Sequence, residues 1–131
     1  NFKRLNMIKI LSSRGTGRSY QIARYAISNN CNILVNSYRQ INHMRTILKD
    51  ILSTDGFIII DESQSSTGYC CYFRRRYESD TKIVRIYTIH DALQRRGYAE
   101  GENIVIDDVD FALKQIFNAY NLKGITMEVG E

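Results

Sequence analysis

The sequence predicts an α/β domain with a mainly parallel sheet flanked by helices and an antiparallel hairpin excursion in the middle. Two apolar strand candidates each precede an amphipathic helix within the first 56 residues, which is the pattern of a parallel sheet. Three further strand candidates then follow without an intervening helix, as antiparallel neighbours do. A buried strand pattern, an amphipathic helix and a last strand complete the chain.

The composition indicates one folded domain over residues 1–131. With 44% hydrophobic residues the chain can build one core, but it is too short for two. No apolar run approaches the roughly 20 residues that span a bilayer, and no signal peptide is visible. The cysteines, Cys31, Cys70 and Cys71, form neither a disulfide framework nor a zinc pattern. We therefore expect a cytoplasmic protein without a membrane partner.

The first part of the chain predicts two strand–helix pairs. Residues 6–11 are a short apolar run, and residues 19–29 follow with apolar side chains at helical spacing. Residues 31–37 are a second, mostly apolar strand. A second amphipathic helix then ends near Asp55, and its apolar residues are Ile41, Met44, Leu48, Ile51 and Leu52.

The middle of the chain predicts the hairpin. Residues 57–61 are strongly apolar, residues 68–77 alternate aromatic side chains with arginine, and residues 82–89 are again typical of a strand. A short helix over residues 90–96 ends at Gly97.

The last third predicts a strand, a helix and a strand. Residues 103–106 are a buried strand run, and residues 125–129 form the final strand. The helix between them carries one apolar face, made of Val109, Ala112, Leu113, Ile116, Phe117 and Tyr120.

The turn between the first strand and the first helix carries the most specific motif. Residues 12–19 read Ser-Ser-Arg-Gly-Thr-Gly-Arg-Ser, which follows the phosphate-binding loop of P-loop NTPases, G-x-x-x-x-G-K-[ST], with two departures. Ser12 replaces the first glycine and Arg18 replaces the lysine. The predicted ligands are ATP and Mg²⁺, and the nucleotide-binding residues are Ser13, Arg14, Gly15, Thr16, Gly17, Arg18, Ser19 and Tyr20. The alternative is an ordinary strand-to-helix turn that contains glycine and arginine.

Such a loop needs an acidic partner at the end of a neighbouring strand, and the chain offers two. Asp61-Glu62 follows one apolar strand, and Asp107-Asp108 follows another. We favour Asp107 and Asp108, because a helix and a further strand follow them, whereas a hairpin follows Asp61. In the alternative interpretation, either acidic pair only caps the next element.

The formal net charge of +4 and the clustered arginines indicate a second, nucleic-acid-binding surface. Its candidate residues are Arg74, Arg75, Arg76, Arg95 and Arg96. Tyr69, Tyr72, Phe73 and Tyr77 interleave with the first arginine cluster, as in stacking platforms for single strands. A hairpin whose arginines are simply solvated explains the same pattern.

Residues 12–19 resemble the G-G-R-G-S-G-K-S loop of phage terminase large-subunit ATPases. Residues 33–40 with their helix, and the approach to Ile104-Val105-Ile106-Asp107-Asp108, are similar to those motors and to superfamily 2 helicases. The resemblance implies a viral or phage P-loop ATPase for DNA handling, in a packaging motor or as a helicase-like protein, in the host cytoplasm.

The same resemblance implies the roles of the site residues. Arg18 and Ser19 become the phosphate and Mg²⁺ ligands, Arg14 a phosphate sensor, Asp107 the metal-holding acid and Asp108 the water-activating acid. Arg18 and Asp108 are the predicted catalytic residues. Because arginine is broader than lysine and aspartate is shorter than glutamate, we expect slow hydrolysis unless a partner subunit or a second copy supplies an arginine. The alternative is a non-hydrolysing module that binds nucleic acid or a protein through its arginine clusters.

Overall fold

The computed structural model describes residues 7–10, 17–94 and 101–127. The helices are α1 (Arg18–Asn29), α2 (Tyr38–Thr54), α3 (Ile89–Gln94) and α4 (Val109–Ile116). The strands are β1 (Asn32–Val35), β2 (Phe57–Ser65), β3 (Gly68–Arg75), β4 (Lys82–Thr88) and β5 (Ile104–Ile106).

The five strands form one open sheet in the order β2-β3-β4-β1-β5. Strand β1 pairs in parallel with β4 and β5, whereas β3 pairs antiparallel with β2 and β4. The α/β class is confirmed, but the sheet is mixed and the prediction of a mainly parallel sheet is wrong. Short turns join β2, β3 and β4, and a short turn can only reverse the chain, since parallel neighbours need a long crossover.

The predicted hairpin is β2 and β3, and β2 is longer than its apolar run. Its polar half continues to Ser65, which pairs with Gly68 across the turn. Gly68 is required there because a Cβ atom would lie 2.6 Å from the carbonyl oxygen of Ile86 on β4. Backbone pairing with β3 therefore holds the polar residues of β2, although their sequence pattern is not that of a buried strand.

One face of the sheet carries the main core. Helices α1 and α2 bury the apolar stripes that their periodicity predicted, including Ala23, Ala26, Met44 and Leu48. These side chains pack against strand residues that point to the same face, among them Ile33, Val35, Phe73, Val84 and Ile86.

The opposite face carries a much smaller cluster, made of Leu34, Tyr87, Ile89 and Ala112. Helix α4 ends at Ile116, so the predicted helix extending to Tyr120 is too long. The predicted apolar face of this helix is mostly exposed. Within α4, Ala112 is the buried residue of that face. In the described part of the chain, no strand lies beyond β5 to cover that face.

The two terminal strands of the prediction are not found among the described residues. Residues 7–10 and 125–127 have no strand structure, and the other residues of both predicted strands lie outside the described ranges. In the described sheet, β5 is consequently an edge strand, with Ile104 and Ile106 both partly exposed.

Candidate functional site

Three strands that run in the same direction end in polar residues at one edge of the sheet. Thr88 is the last residue of β4, Asn36 follows β1, and Asp107 follows β5. These strands are neighbours in the order β4-β1-β5, so the three residues lie side by side. Open α/β sheets bind their ligands at this edge, beyond the carboxyl ends of the parallel strands.

Helix α1 brings Ser19 to the same edge. The Ser19 hydroxyl donates a hydrogen bond of 2.9 Å to Oδ2 of Asp107, and both residues are half-buried. The helix begins after Gly17, whose φ of +79° is a left-handed conformation that glycine adopts without strain. Because glycine has no side chain, none caps the first N–H groups of α1, and these groups are a natural anion-binding feature.

Asn36 ties the ends of β1 and β5 together. Its side-chain Nδ2 donates to the carbonyl oxygens of Asp107, at 3.4 Å, and Asp108, at 3.3 Å. The Asp107 N–H donates in turn to the carbonyl of Leu34 on β1, at 3.0 Å. The other side-chain atom, Asn36 Oδ1, is buried and has no hydrogen-bond partner in the described part of the chain. A buried acceptor without a partner is unusual and leaves this oxygen available to a ligand or a water.

Asp108 occupies a strained backbone position. Its φ of +60° is in the left-handed region, which non-glycine residues seldom adopt. Its side chain caps α4 by accepting a hydrogen bond of 3.4 Å from the Phe111 N–H. The interpretation of Asp108 as a helix cap, left open by the sequence, is therefore observed, and it occupies one carboxylate oxygen of the predicted water-activating residue.

The described residues of the predicted phosphate-binding loop lie in two environments. Arg18 is the first residue of α1 and is half-buried beside Ser19. The Tyr20 hydroxyl instead donates to Asp50 on α2, at 3.1 Å, and this hydrogen bond raises the pKa of Tyr20. The Tyr20 hydroxyl is thus directed to α2 and away from the hydrogen bond between Ser19 and Asp107. The predicted residues Ser13, Arg14, Gly15 and Thr16 lie outside the described residues.

The alternative acidic pair lies elsewhere in the fold. Asp61 and Glu62 belong to β2, which is at the opposite edge of the sheet from β5. Glu62 accepts hydrogen bonds from the Tyr69 hydroxyl and from the Lys49 ammonium, and these two contacts lower its pKa. The structure therefore brings Asp107, and not Asp61 or Glu62, to Ser19.

The predicted arginine surface is described only in part. Arg74, Arg75 and Arg76 lie at the end of β3 and in the turn after it, whereas Arg95 and Arg96 are outside the described residues. The aromatic residues of β3 alternate between faces: Tyr69 and Phe73 are buried, and Tyr72 is partly exposed.

The donor set at the Ser19–Asp107 edge suits a hard cation bound together with a phosphate. Within residues 7–10, 17–94 and 101–127, no group of three or more His, Cys, Asp or Glu side chains is placed to hold a metal. Mg²⁺ does not need such a group, because it is usually bound through one or two protein oxygens, several waters and the phosphates of its nucleotide. The Ser19 hydroxyl and the Asp107 carboxylate are two such oxygens.

Comparisons with protein families, with curated proteins and with solved structures found no match to this chain. Among the described residues, no helix is long and apolar enough to cross a membrane.

The sequence prediction missed Asn36 and Thr88. Thr88 is buried, and its hydroxyl accepts a hydrogen bond of 3.1 Å from the Asp91 N–H at the start of α3. The signal that marked Asp107 also marks these two residues, because each is a polar residue at the carboxyl end of an apolar strand. Their importance depends on the strand order, which places β4 and β1 beside β5.

Proposed function

We propose that the chain binds ATP with Mg²⁺ at the Ser19–Asp107 edge and acts as a P-loop-type ATPase in viral or phage DNA handling, of the terminase or helicase kind. The observation that carries this proposal is the 2.9 Å hydrogen bond between Ser19 and Asp107. These residues are 88 positions apart in the chain; the loop motif predicts a metal ligand at Ser19, and the acidic strand end predicts one at Asp107.

The chemistry of the edge supports a ligand that carries phosphate groups, as a nucleotide does. The uncapped start of α1 attracts phosphate through its N–H groups and its dipole. Arg18, at the first position of this helix, adds a guanidinium that can donate two hydrogen bonds to a phosphate. Ser19 and Asp107 would hold Mg²⁺, which would supply positive charge against the negative charge that develops on the phosphates during transfer.

Each residue of the edge then has a distinct task. Ser19 and Asp107 would provide oxygen ligands to the cation, and Asn36 positions Asp107 by donating a hydrogen bond to its carbonyl oxygen. Arg18 contacts the phosphates. The second carboxylate oxygen of Asp108, the one that does not cap α4, accepts a proton from the attacking water.

The second candidate is a non-hydrolysing module that keeps the same site. The capping bond of Asp108 to the Phe111 N–H favours this candidate, because it ties the proposed base to α4. Turnover separates the two functions. The double variant Arg18→Lys/Asp108→Glu should hydrolyse ATP faster than the natural chain if the proposed ATPase roles hold, and no faster if the site only binds.

Binding is tested by thermal unfolding with and without ATP–Mg²⁺ at millimolar concentration. A ligand that binds only the folded chain stabilises it by about 2.7 kcal/mol at 100 times its Kd, so the natural chain should melt several degrees higher. Ser19→Ala and Asp107→Asn should lose this rise. Asp61→Asn is the matched control and should keep it, since Asp61 is exposed on the opposite edge strand.

Each variant is compared with its own nucleotide-free melting temperature, so that a loss of stability is not counted as a loss of binding. An unchanged melting temperature of the natural chain in ATP–Mg²⁺ would refute the proposal. A rise that Asp61→Asn abolishes and Asp107→Asn retains would instead assign the metal to the other acidic pair.

A further inference from the structure

A cleft of about 680 Å³ lies between the end of α2, the start of β2 and the end of β3. Lys49 and Ser53 line it from α2, Phe57 from β2, and Arg75, Arg76 and Tyr77 from the end of β3 and the turn that follows. Its volume is within the range of about 300–1,000 Å³ that is typical of ligand sites.

The cleft is remote from the proposed nucleotide site. Because β2 and β4 are both antiparallel to β3, β2 runs in the same direction as β4, β1 and β5. Phe57 is at the amino end of β2, whereas Asp107 follows the carboxyl end of β5. The two sites are thus at opposite ends of the strands and at opposite edges of the sheet.

Two uncharged groups orient the guanidinium of Arg75. Its Nη1 donates to the carbonyl oxygen of Asp55 at 3.2 Å, and its guanidinium lies 4.3 Å from the centre of the Phe57 ring. Both partners are uncharged groups, so they orient the guanidinium without neutralising it. In the described part of the chain Arg75 forms no ion pair.

Arg74 has a different role from its neighbours. Its Nη1 donates to the carbonyl oxygens of Arg75, Arg76 and Glu78, at 3.1, 2.9 and 3.0 Å. This side chain is therefore used to order the turn after β3. The ordered turn presents Arg76 and Tyr77 to solvent, and the Tyr77 side chain is 94% exposed.

We propose that this cleft binds single-stranded nucleic acid, with phosphates on Arg75 and Arg76 and an unpaired base stacked on Tyr77. Among the described residues, neither Arg75 nor Arg76 forms an ion pair, and the cleft is lined by one carboxylate, that of Glu78. The third cation, Lys49, is paired with Glu62 at 3.2 Å. The residues that line the cleft therefore carry a net positive charge. The 94% exposed ring of Tyr77, beside the guanidinium groups of Arg75 and Arg76, is the combination that single-strand binders use.

Unpaired bases are the ligand that this combination selects. In a duplex the bases are stacked on each other, so a single exposed ring such as Tyr77 gains nothing from them. A free phosphate or an acidic peptide would use the arginines but not the ring. Tyr77 therefore distinguishes a single strand from other polyanions.

The test is fluorescence anisotropy of a labelled oligothymidylate with the full chain over a series of salt concentrations. Arg75→Gln/Arg76→Gln should raise Kd about tenfold or more near 50 mM salt. The slope of log K against log salt should fall by about 1.4, because each phosphate contact to a single strand contributes about 0.7. Tyr77→Ala should raise Kd about 5- to 150-fold, the value of one stacked base, with little change in that slope.

The matched charge control is Lys114→Gln/Lys123→Gln, which removes the same charge from exposed positions on α4 and the segment after it. It should change Kd by less than about twofold, because charges beyond a Debye length of about 8–10 Å are screened. Ser19→Ala should also leave the Kd for the oligonucleotide unchanged, so failure of the nucleotide site does not affect this test.

Three results would overturn the proposal: no binding at low salt, equal weakening by the two double variants, or no effect of Tyr77→Ala. Tighter binding of a duplex of equal length, or equal competition by polyglutamate, would also overturn it, because both show charge attraction without base stacking. Thermal unfolding of every variant confirms that each chain is folded during the measurement.

Discussion

Helices α1 and α2 cover one face of the sheet with a continuous set of buried side chains, whereas α3 and α4 bury few residues on the other. The covered face contains residues that are wholly inaccessible, such as Leu48, Leu52 and Phe73. Among the described residues of the sparse face, the buried cluster is Leu34, Tyr87, Ile89 and Ala112, and Phe111 and Ile116 are 49% and 44% exposed. Since apolar stabilisation scales with buried area, the first face supplies most of the folding free energy.

The difference bears on the proposed nucleotide site, which joins the two faces. Ser19 projects from α1 of the covered face, and Asp107 immediately precedes α4 of the sparse face. A site whose two sides differ in stability can change shape on one side without unfolding the other. We therefore expect the β5–α4 side to be the part that adjusts when a ligand binds.

The test with the largest expected effect truncates a buried leucine on each face of the sheet. Leu48→Ala should lower the free energy of unfolding by about 4 kcal/mol and Leu34→Ala by about 2, within the range of about 2–5 for buried leucines. Both leucines are at most 3% exposed, so the expected difference arises from their surroundings. The dense cluster around Leu48 cannot close the cavity, whereas the sparse cluster around Leu34 can relax into it.

Urea unfolding measures both values, provided that the two variants share the slope of the natural chain. An equal or larger loss for Leu34→Ala would contradict the comparison. It would mean that the sparse face is packed as tightly as the covered one.

The same difference explains what the sequence predicted well. The periodicity of α1 and α2 predicted their buried stripes, and the polar residue after the apolar run 104–106 predicted where β5 ends. Helix periodicity reports which residues share a face, but it does not report whether anything lies against that face. Val109, Leu113 and Ile116 do share a side of α4, yet that side is largely exposed.

The sheet shows a second limit of the sequence. The absence of a helix between residues 57 and 88 correctly predicted the hairpin. It could not give the strand order, because the parallel pairing of β4 with β1 depends on contacts between distant segments. The same dependence hid Asn36 and Thr88, whose place in the site follows from that pairing.

A smaller effect is expected from removing the Ser19–Asp107 hydrogen bond, which connects α1 on the covered face to the start of α4 on the sparse face. Ser19→Ala removes the hydrogen bond to Asp107 and should lower the free energy of opening the β5–α4 side by about 1 kcal/mol. The loss should be local. Amide hydrogen exchange in α4 should accelerate about fivefold, the factor that 1 kcal/mol represents, while the core amides of α2 keep their protection relative to global unfolding.

Ser28→Ala is the control, because Ser28 is an exposed serine on the same helix and lies ten residues from the start of α1 at Arg18. It should leave exchange in α4 unchanged. Equal acceleration in α2 and α4 would show that Ser19 supports the whole fold and not a link between two unequal faces.

The smallest expected effect concerns Glu62 on the edge strand of the covered face. Hydrogen bonds from Tyr69 and Lys49 hold its pKa below the ordinary value of 4.5, and its side chain is 39% exposed. Burial and the bond to Glu62 raise the pKa of Tyr69, so its hydroxyl remains a donor. Because the Glu62 pKa is lowered by folding, the stability it contributes is present above about pH 4.5 and is lost as pH falls through the folded value.

Tyr69→Phe removes the first of these donors and should therefore reduce the loss of stability between pH 7 and pH 3, by less than about 1 kcal/mol for so exposed a carboxylate. Urea midpoints at the two pH values measure the difference. Tyr72→Phe, on the same strand and partly exposed, is the control and should keep the natural pH dependence. If Tyr69→Phe and the natural chain lose equal stability on acidification, the Tyr69 hydroxyl does not lower the pKa of Glu62. The stabilising contacts of the covered face would then include the buried ring of Tyr69 but not its hydrogen bond to Glu62.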